Sequence, residues 1–196
     1  DRVIQSLIMD KNINPDTLLI GDRNAILIAA RVSGYGNNYE TTVACPACGA
    51  TQEYSFDLND AKIVGGTQNS SLSITQNDDG TFNTILPRTS VEVTFRLLNG
   101  IDEKSIVARA EADRKRKRPE QAVTSQIRTM VVAVNGDTSP QAVEYLIENV
   151  PSLDSRHLRA CYKEVAPNID LTQHFQCGEC DHEQEMEVPL TADFFW

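Results

Sequence analysis

Two Cys-x-x-Cys pairs, Cys45-Pro46-Ala47-Cys48 and Cys177-Gly178-Glu179-Cys180, constrain this chain more than any other feature. Each is flanked by strand-like sequence: Tyr39–Val43 and Gln52–Phe56 around the first, Thr172–Gln176 and Glu183–Val188 around the second. A Cys-x-x-Cys on a hairpin turn aims two thiols at one point, and two such turns face to face supply four. Four thiolates in a tetrahedron suit Zn²⁺, with Zn–S distances of about 2.3 Å. Pro46 pre-sets φ and Gly49 admits a positive φ, as a knuckle turn requires. Compact zinc ribbons leave about 15–20 residues between the pairs. Here Cys48 and Cys177 lie 129 positions apart, so the site would clip the two ends of the chain together.

The expectation is therefore one structural zinc per chain, held by Cys45, Cys48, Cys177 and Cys180. Three alternatives stand beside it. Two disulfides would suit a small secreted domain, whereas a chain without a secretory leader is expected here. A redox pair normally opens a helix after a strand, and neither pair does so. An iron–sulfur cluster also takes four thiolates and remains an alternative cofactor.

The 196 residues suffice for one sizeable core or two small ones. With 18 Lys and Arg against 28 Asp and Glu, the formal charge of −10 disfavours general binding to nucleic acid. No apolar run reaches the roughly 18 residues that a membrane helix needs, so no membrane partner is expected.

The pattern along the chain predicts an α+β fold. Val3, Ile4, Leu7 and Ile8 share a helical face, and residues 22–33 read as a helix with Asp22 at its N-cap and Gly34 just past its end. Six apolar positions in a row, 25 to 30, predict that this helix is buried nearly all round, with Arg23 and Arg31 flanking it in surface or capping roles or, alternatively, at an interface. Residues 65–88 are rich in Ser, Asn, Thr and Gly and read as an inserted polar hairpin that projects from the body, turning at Asn77–Gly80. Val91–Leu97 alternates as a strand. From Asn99 onward the period becomes helical, with Val123, Ile127, Met130, Val131 and Val134 on the second of four stripes. Ser139-Pro140 opens the third helix and Pro151-Ser152 the fourth. The expected domains are a helix plus zinc-ribbon-like antiparallel β-hairpins over 1–98 with 168–196, the insertion at 65–88, and a small four-helix bundle over 99–167.

Two further groups are candidate partner-binding residues. Arg114, Lys115, Arg116, Lys117 and Arg118 form the dense basic run, whose plainer role is to complement a helix C-terminus. Phe194, Phe195 and Trp196 form an aromatic end that either folds back on the ribbon or inserts into another protein. Cys161 lies on an apolar helical stripe and is expected to be a buried thiol. No Ser-His-Asp, Cys-His or paired-carboxylate pattern is legible, so neither an enzyme nor a small-molecule substrate is expected.

Several stretches together resemble the T4 bacteriophage base plate protein family. They are Leu18–Arg23, Gly34–Tyr39, the Cys45–Gly49 knuckle, Val93–Gly100, and the tail running from Cys177 and Cys180 through Val188-Pro189-Leu190-Thr191-Ala192-Asp193-Phe194-Phe195-Trp196. The resemblance implies a structural component of the baseplate hub of a contractile-tailed phage, made in the host cytoplasm and built into the virion tail among other tail proteins. It equally implies, as an alternative, a hub assembly chaperone absent from the mature virion. The metal does not follow from the resemblance, because family members differ in their cysteines. A rival of another class is a zinc-ribbon regulator that binds nucleic acid, which would need a basic face.

Overall fold

The structure, a computed structural model, describes residues 2–66, 72–117, 122–189 and 194. In chain order its elements are α1 (Arg2–Leu7), α2 (Ile20–Tyr35), β1 (Asn38–Ala44), β2 (Thr51–Asp57), β3 (Lys62–Val64), β4 (Ile74–Gln76), β5 (Phe82–Ile85) and β6 (Glu92–Phe95). They continue with α3 (Gly100–Lys115), α4 (Ala122–Met130), β7 (Val131–Val134), α5 (Pro140–Asn149), α6 (Ser152–Val165), β8 (Asn168–Asp170), β9 (Thr172–Gln176) and β10 (Glu183–Glu187). The α+β class is as expected. The chain divides into two compact units, Asp1–Ile20 with Gly65–Pro167, and Gly21–Val64 with Asn168–Trp196.

The first unit is built on one antiparallel sheet of order β4-β5-β6-β7. Alternation places Phe82 and Thr84 of β5, Val93 and Phe95 of β6, and Val131 and Ala133 of β7 in the interior. The rings of Phe82 and Phe95 stack with centroids 5.7 Å apart. Leu146 of α5 and Leu158, Cys161 and Val165 of α6 complete this core. A reciprocal capping box starts α3: Asn99 Oδ1 accepts from the Asp102 N–H, and Asp102 accepts from the Asn99 N–H. Asp102 also receives Arg96 through both guanidinium nitrogens, at 2.7 and 2.8 Å.

Two expectations fail in this unit. Residues 65–88 are not a projecting polar insertion: Phe82, Thr84 and Leu86 are among its most buried residues, and β5 is an inner strand of the sheet. The Ser, Asn and Thr residues around them hid a short alternating strand. The helices of 99–167 do not form a separate bundle either, because Val131–Val134 is a strand beside β6. Three valines in four positions favour strand over helix, and the free edge of β6 supplies the ladder. Helix and strand patterns overlap there, since Met130 and Val131 are buried in both readings.

A buried carboxylate organises the same unit. Asp154, in the first turn of α6, is fully buried. It accepts from the N–H groups of Arg88 and Thr89 at 2.8 and 3.1 Å and from the Thr89 hydroxyl at 2.7 Å. It thereby holds the turn between β5 and β6, where Ser90 adopts φ 57°. Gly65 sits at φ +74° where any Cβ would collide with the Ala166 carbonyl oxygen, so only glycine fits.

The second unit contains three two-stranded ladders, β1-β2, β3-β8 and β9-β10, together with α2. Tyr39, Phe56, Leu58 and Phe175 are buried at its centre. The helix differs from expectation. Of its apolar run only Ile28 is fully buried, whereas Arg23 and Arg31 are interior. Arg31 donates to the carbonyls of Gly36 and Asn38 at 2.8 and 3.1 Å, and its guanidinium carbon lies 5.2 to 6.0 Å from the ring centroids of Tyr35, Tyr39 and Phe194. Carbonyl dipoles and aromatic faces thus replace water around its charge. The helix also runs through Gly34 to Tyr35.

Candidate metal centre

The hairpin β1-β2 pairs from Asn38 opposite Asp57 to Ala44 opposite Thr51. The hairpin β9-β10 pairs from Thr172 opposite Glu187 to Gln176 opposite Glu183. Each ends in the same six-residue turn. In the first, the Cys45 N–H donates to the Ala50 carbonyl at 2.8 Å and the Gly49 N–H to the Cys45 carbonyl at 2.8 Å. In the second, the Cys177 N–H donates to the His182 carbonyl at 2.9 Å and the Asp181 N–H to the Cys177 carbonyl at 3.1 Å. The fifth turn residue is left-handed in both, Gly49 at φ 75° and Asp181 at φ 54°. Asp is one of the few side-chain-bearing residues that tolerate this region.

Two glutamine amides join the hairpins. Gln52 of β2 donates to the Gln176 carbonyl at 3.1 Å and accepts from the Gly178 N–H at 2.9 Å. Gln173 of β9 donates to the Asp57 carbonyl at 2.7 Å and accepts from the Asp57 N–H at 3.2 Å. The Tyr54 hydroxyl donates to the His174 carbonyl at 3.2 Å, while its ring packs on Phe56 and Phe175.

With the hairpins so fixed, the four sulfurs of Cys45, Cys48, Cys177 and Cys180 lie within 4.8 Å of one another. The pairs Cys45–Cys180 and Cys48–Cys177 are each 3.8 Å apart. A regular tetrahedron with metal–sulfur bonds of about 2.3 Å has edges of about 3.8 Å, so the donor set could hold a metal ion. The first cysteine of each pair is buried and the second exposed, in the same order on both turns. The Glu179 N–H also points at the Cys177 sulfur, 3.4 Å away.

The thiols compete for charge. Cys45 is pulled down to about 6, first by the Cys48 N–H, against burial, and then by the Ala47 N–H and the neighbouring thiols. Cys180 is pushed up to about 12: the His182 N–H favours its thiolate, but Cys48, burial, Cys177 and Cys45 oppose it. Four sulfurs this close repel as thiolates unless a cation stands among them.

The comparison with known families agrees with the sequence resemblance. A family model described as T4 bacteriophage base plate protein matches residues 1–196. The chain belongs to that family. No curated protein and no solved structure matches it. Membership supports a structural role in the phage baseplate, among other tail proteins. No helix among the described residues is long and apolar enough to cross a membrane.

The other candidates in this baseplate-family chain fare differently. Arg114 and Lys115 close α3, Arg116 is its C-cap, and Lys117 follows at φ 53°; all four are exposed. Arg118, Phe195 and Trp196 lie outside the described residues. Phe194 is not an exposed docking residue. Its ring is buried, packed edge-on to Tyr39 at 5.0 Å and beside Arg31. Cys161 is buried as expected, yet His157 Nε2 lies 3.4 Å and Thr84 Oγ1 3.5 Å from its sulfur. Burial raises this thiol, which is the reverse of nucleophile activation.

Sequence reasoning missed the glutamine clamps, Asp154 and the interior Arg31. Only Asp181 carried a readable signal, since it stands four residues after Cys177 as Gly49 does after Cys45.

Proposed function

We propose that this chain is a structural component of the hub region of a phage tail baseplate, in which one Zn²⁺ held by Cys45, Cys48, Cys177 and Cys180 fixes the two hairpins together. The family match over residues 1–196 carries the setting. The sulfur geometry carries the metal, since four sulfurs within 4.8 Å suit a single ion better than a multi-iron cluster. Four protein ligands leave no open coordination position, so the ion's contribution is architectural. The protein acts by docking on other tail proteins during assembly, through surfaces that include the basic end of α3, Arg114 to Lys117 with Arg118, and the residues Phe195 and Trp196. It is made in the host cytoplasm and resides in the virion tail, with no substrate turned over.

The test is a null phage complemented in trans. Tails should fail to form without the protein, and mass spectrometry of purified tails should find it at near-stoichiometric level. Its absence from finished tails, with assembly still dependent on it, would make it an assembly chaperone instead. Normal infectious tails in the null mutant would refute both. Metal analysis of reduced, purified protein should give zinc; iron with visible absorption would overturn that assignment.

A further inference from the structure

The first unit carries a groove of mixed lining with a cationic rim that no described residue neutralises. The groove, about 300 Å³ in volume, lies among α4, α5 and α6. Val123 of α4, Ile147 of α5 and Val150 just after it, beside the buried Ile127, supply the apolar part of the lining, and Thr124, Ser152, Ser155 and Arg159 supply the polar part. Val123 is 42% exposed although it lines a concavity. Beside the groove, the exposed side of α6 bears Leu153, Arg156, Arg159, Ala160 and Lys163. The spacing of three and four puts the three cations in one stripe, where they repel one another.

None of these cations has a counter-ion among the described residues. Arg128 and Asp154, by contrast, are engaged with Glu144 and with the Arg88–Thr89 turn. Among the described residues no ion pair or side-chain hydrogen bond reaches Arg156, Arg159 or Lys163. In a protein of net charge −10, a basic stripe along a groove that exposes Val123, Ile147 and Val150 is complementary to an acidic segment that carries an apolar side chain. Nucleic acid fits it less well, because three cations neutralise few phosphates and the apolar lining has no role in that contact.

We infer that the α4–α5–α6 groove is a docking site for an acidic segment of a neighbouring tail protein, which sets an aliphatic or aromatic side chain against Val123, Ile147 and Val150 and carboxylates against Arg156, Arg159 and Lys163. The inference rests on the baseplate reading for the identity of the neighbour. It concerns residues other than those named in that reading.

A photo-crosslinking amino acid at Val123, in protein that complements the null phage, tests it directly. Mass spectrometry of cross-linked tails should map the adduct to an Asp- or Glu-rich stretch of another tail protein. Arg156→Glu with Arg159→Glu should lower the cross-link yield about tenfold or more, while Arg159→Lys should leave it nearly unchanged. Thermal melting of each variant checks that it folds; if the double variant does not, Lys163→Glu alone serves, and should still lower the yield. A cross-link to a second copy of this chain or to nucleic acid, or a yield indifferent to charge reversal, would overturn the assignment. So would the lack of any cross-link in tails shown to contain the protein, and that result leaves the baseplate reading standing. Normal tails without the protein would instead refute the baseplate reading.

Discussion

The two units reach a fold by different means. The first has a continuous four-stranded sheet and a core in which Phe82, Leu86, Val93, Phe95, Met130 and Leu158 interlock. The second has a buried cluster of similar apolar character, but among the described residues its strands come in pairs. An isolated two-stranded hairpin is at best marginal in water, and a small core rarely supplies more than about 3–5 kcal/mol. Cys45 and Cys177 are themselves part of that core. The first unit is built on a continuous ladder and apolar packing, with the Asp154 carboxylate bracing one turn, whereas the second has more of its connections in side chains: two glutamine clamps, an interior arginine and four thiols.

Removing the thiols should break this contrast most sharply. Structural zinc binds with about 10–16 kcal/mol in small zinc-dependent peptides, and that energy becomes folding energy. Cys45→Ser with Cys177→Ser should yield protein without metal in which amides of β1, β2, β9 and β10 lose hydrogen-exchange protection while those of β5 and β6 keep theirs. Metal retained by the double variant would refute the site. Acidification should likewise release the metal, because protons compete for the thiolates.

The reciprocal experiment targets the first unit. Leu158→Ala should cost about 2–5 kcal/mol, and Asp154→Ala about 1.5–3 kcal/mol for the lost hydrogen bonds to its buried carboxylate, both with metal content unchanged. The Asp154 carboxyl adds a pH dependence. Although burial opposes its charge, the Arg88 and Thr89 donors hold it below the usual carboxylate range. Its stabilising effect is therefore complete above the ordinary Asp value and is lost as pH falls through the lowered one. Denaturant melts of wild type and Asp154→Asn should differ at neutral pH and converge in acid. A constant difference would show that the carboxylate charge is immaterial.

Smaller effects sharpen the picture of the second unit. Gln52→Ala and Gln173→Ala each remove two hydrogen bonds between hairpins and should cost about 1–3 kcal/mol, read as a fall in the melting midpoint. Either variant matching wild type would mean that the amides follow the hairpin geometry and do not set it. The least change is expected at the left-handed turn position. Gly49→Ala should cost about 1–2 kcal/mol, whereas Asp181→Gly should be nearly neutral, the relief of a positive φ offsetting the greater chain entropy of glycine.

Local rules explain what was legible in the sequence. Both thiol hairpins, the Asn99 cap, the Ser139-Pro140 helix start and the burial of Cys161 each depend on a few neighbouring residues, so spacing and capping chemistry reveal them. That the two Cys-x-x-Cys turns meet was an inference from valence, four thiols being the natural set for one ion. The assignments that only the tertiary structure made are those where a distant partner decides. Val131–Val134 is a strand because β6 offers an edge, and Phe82, Thr84 and Leu86 are core because the sheet lies under α5 and α6. Arg31 is interior because Gly36, Asn38 and three aromatic rings surround it, one of them Phe194 from the other end of the sequence. A side chain's chemistry can be read from the chain, but the energy of burying it depends on partners that only the fold brings within reach.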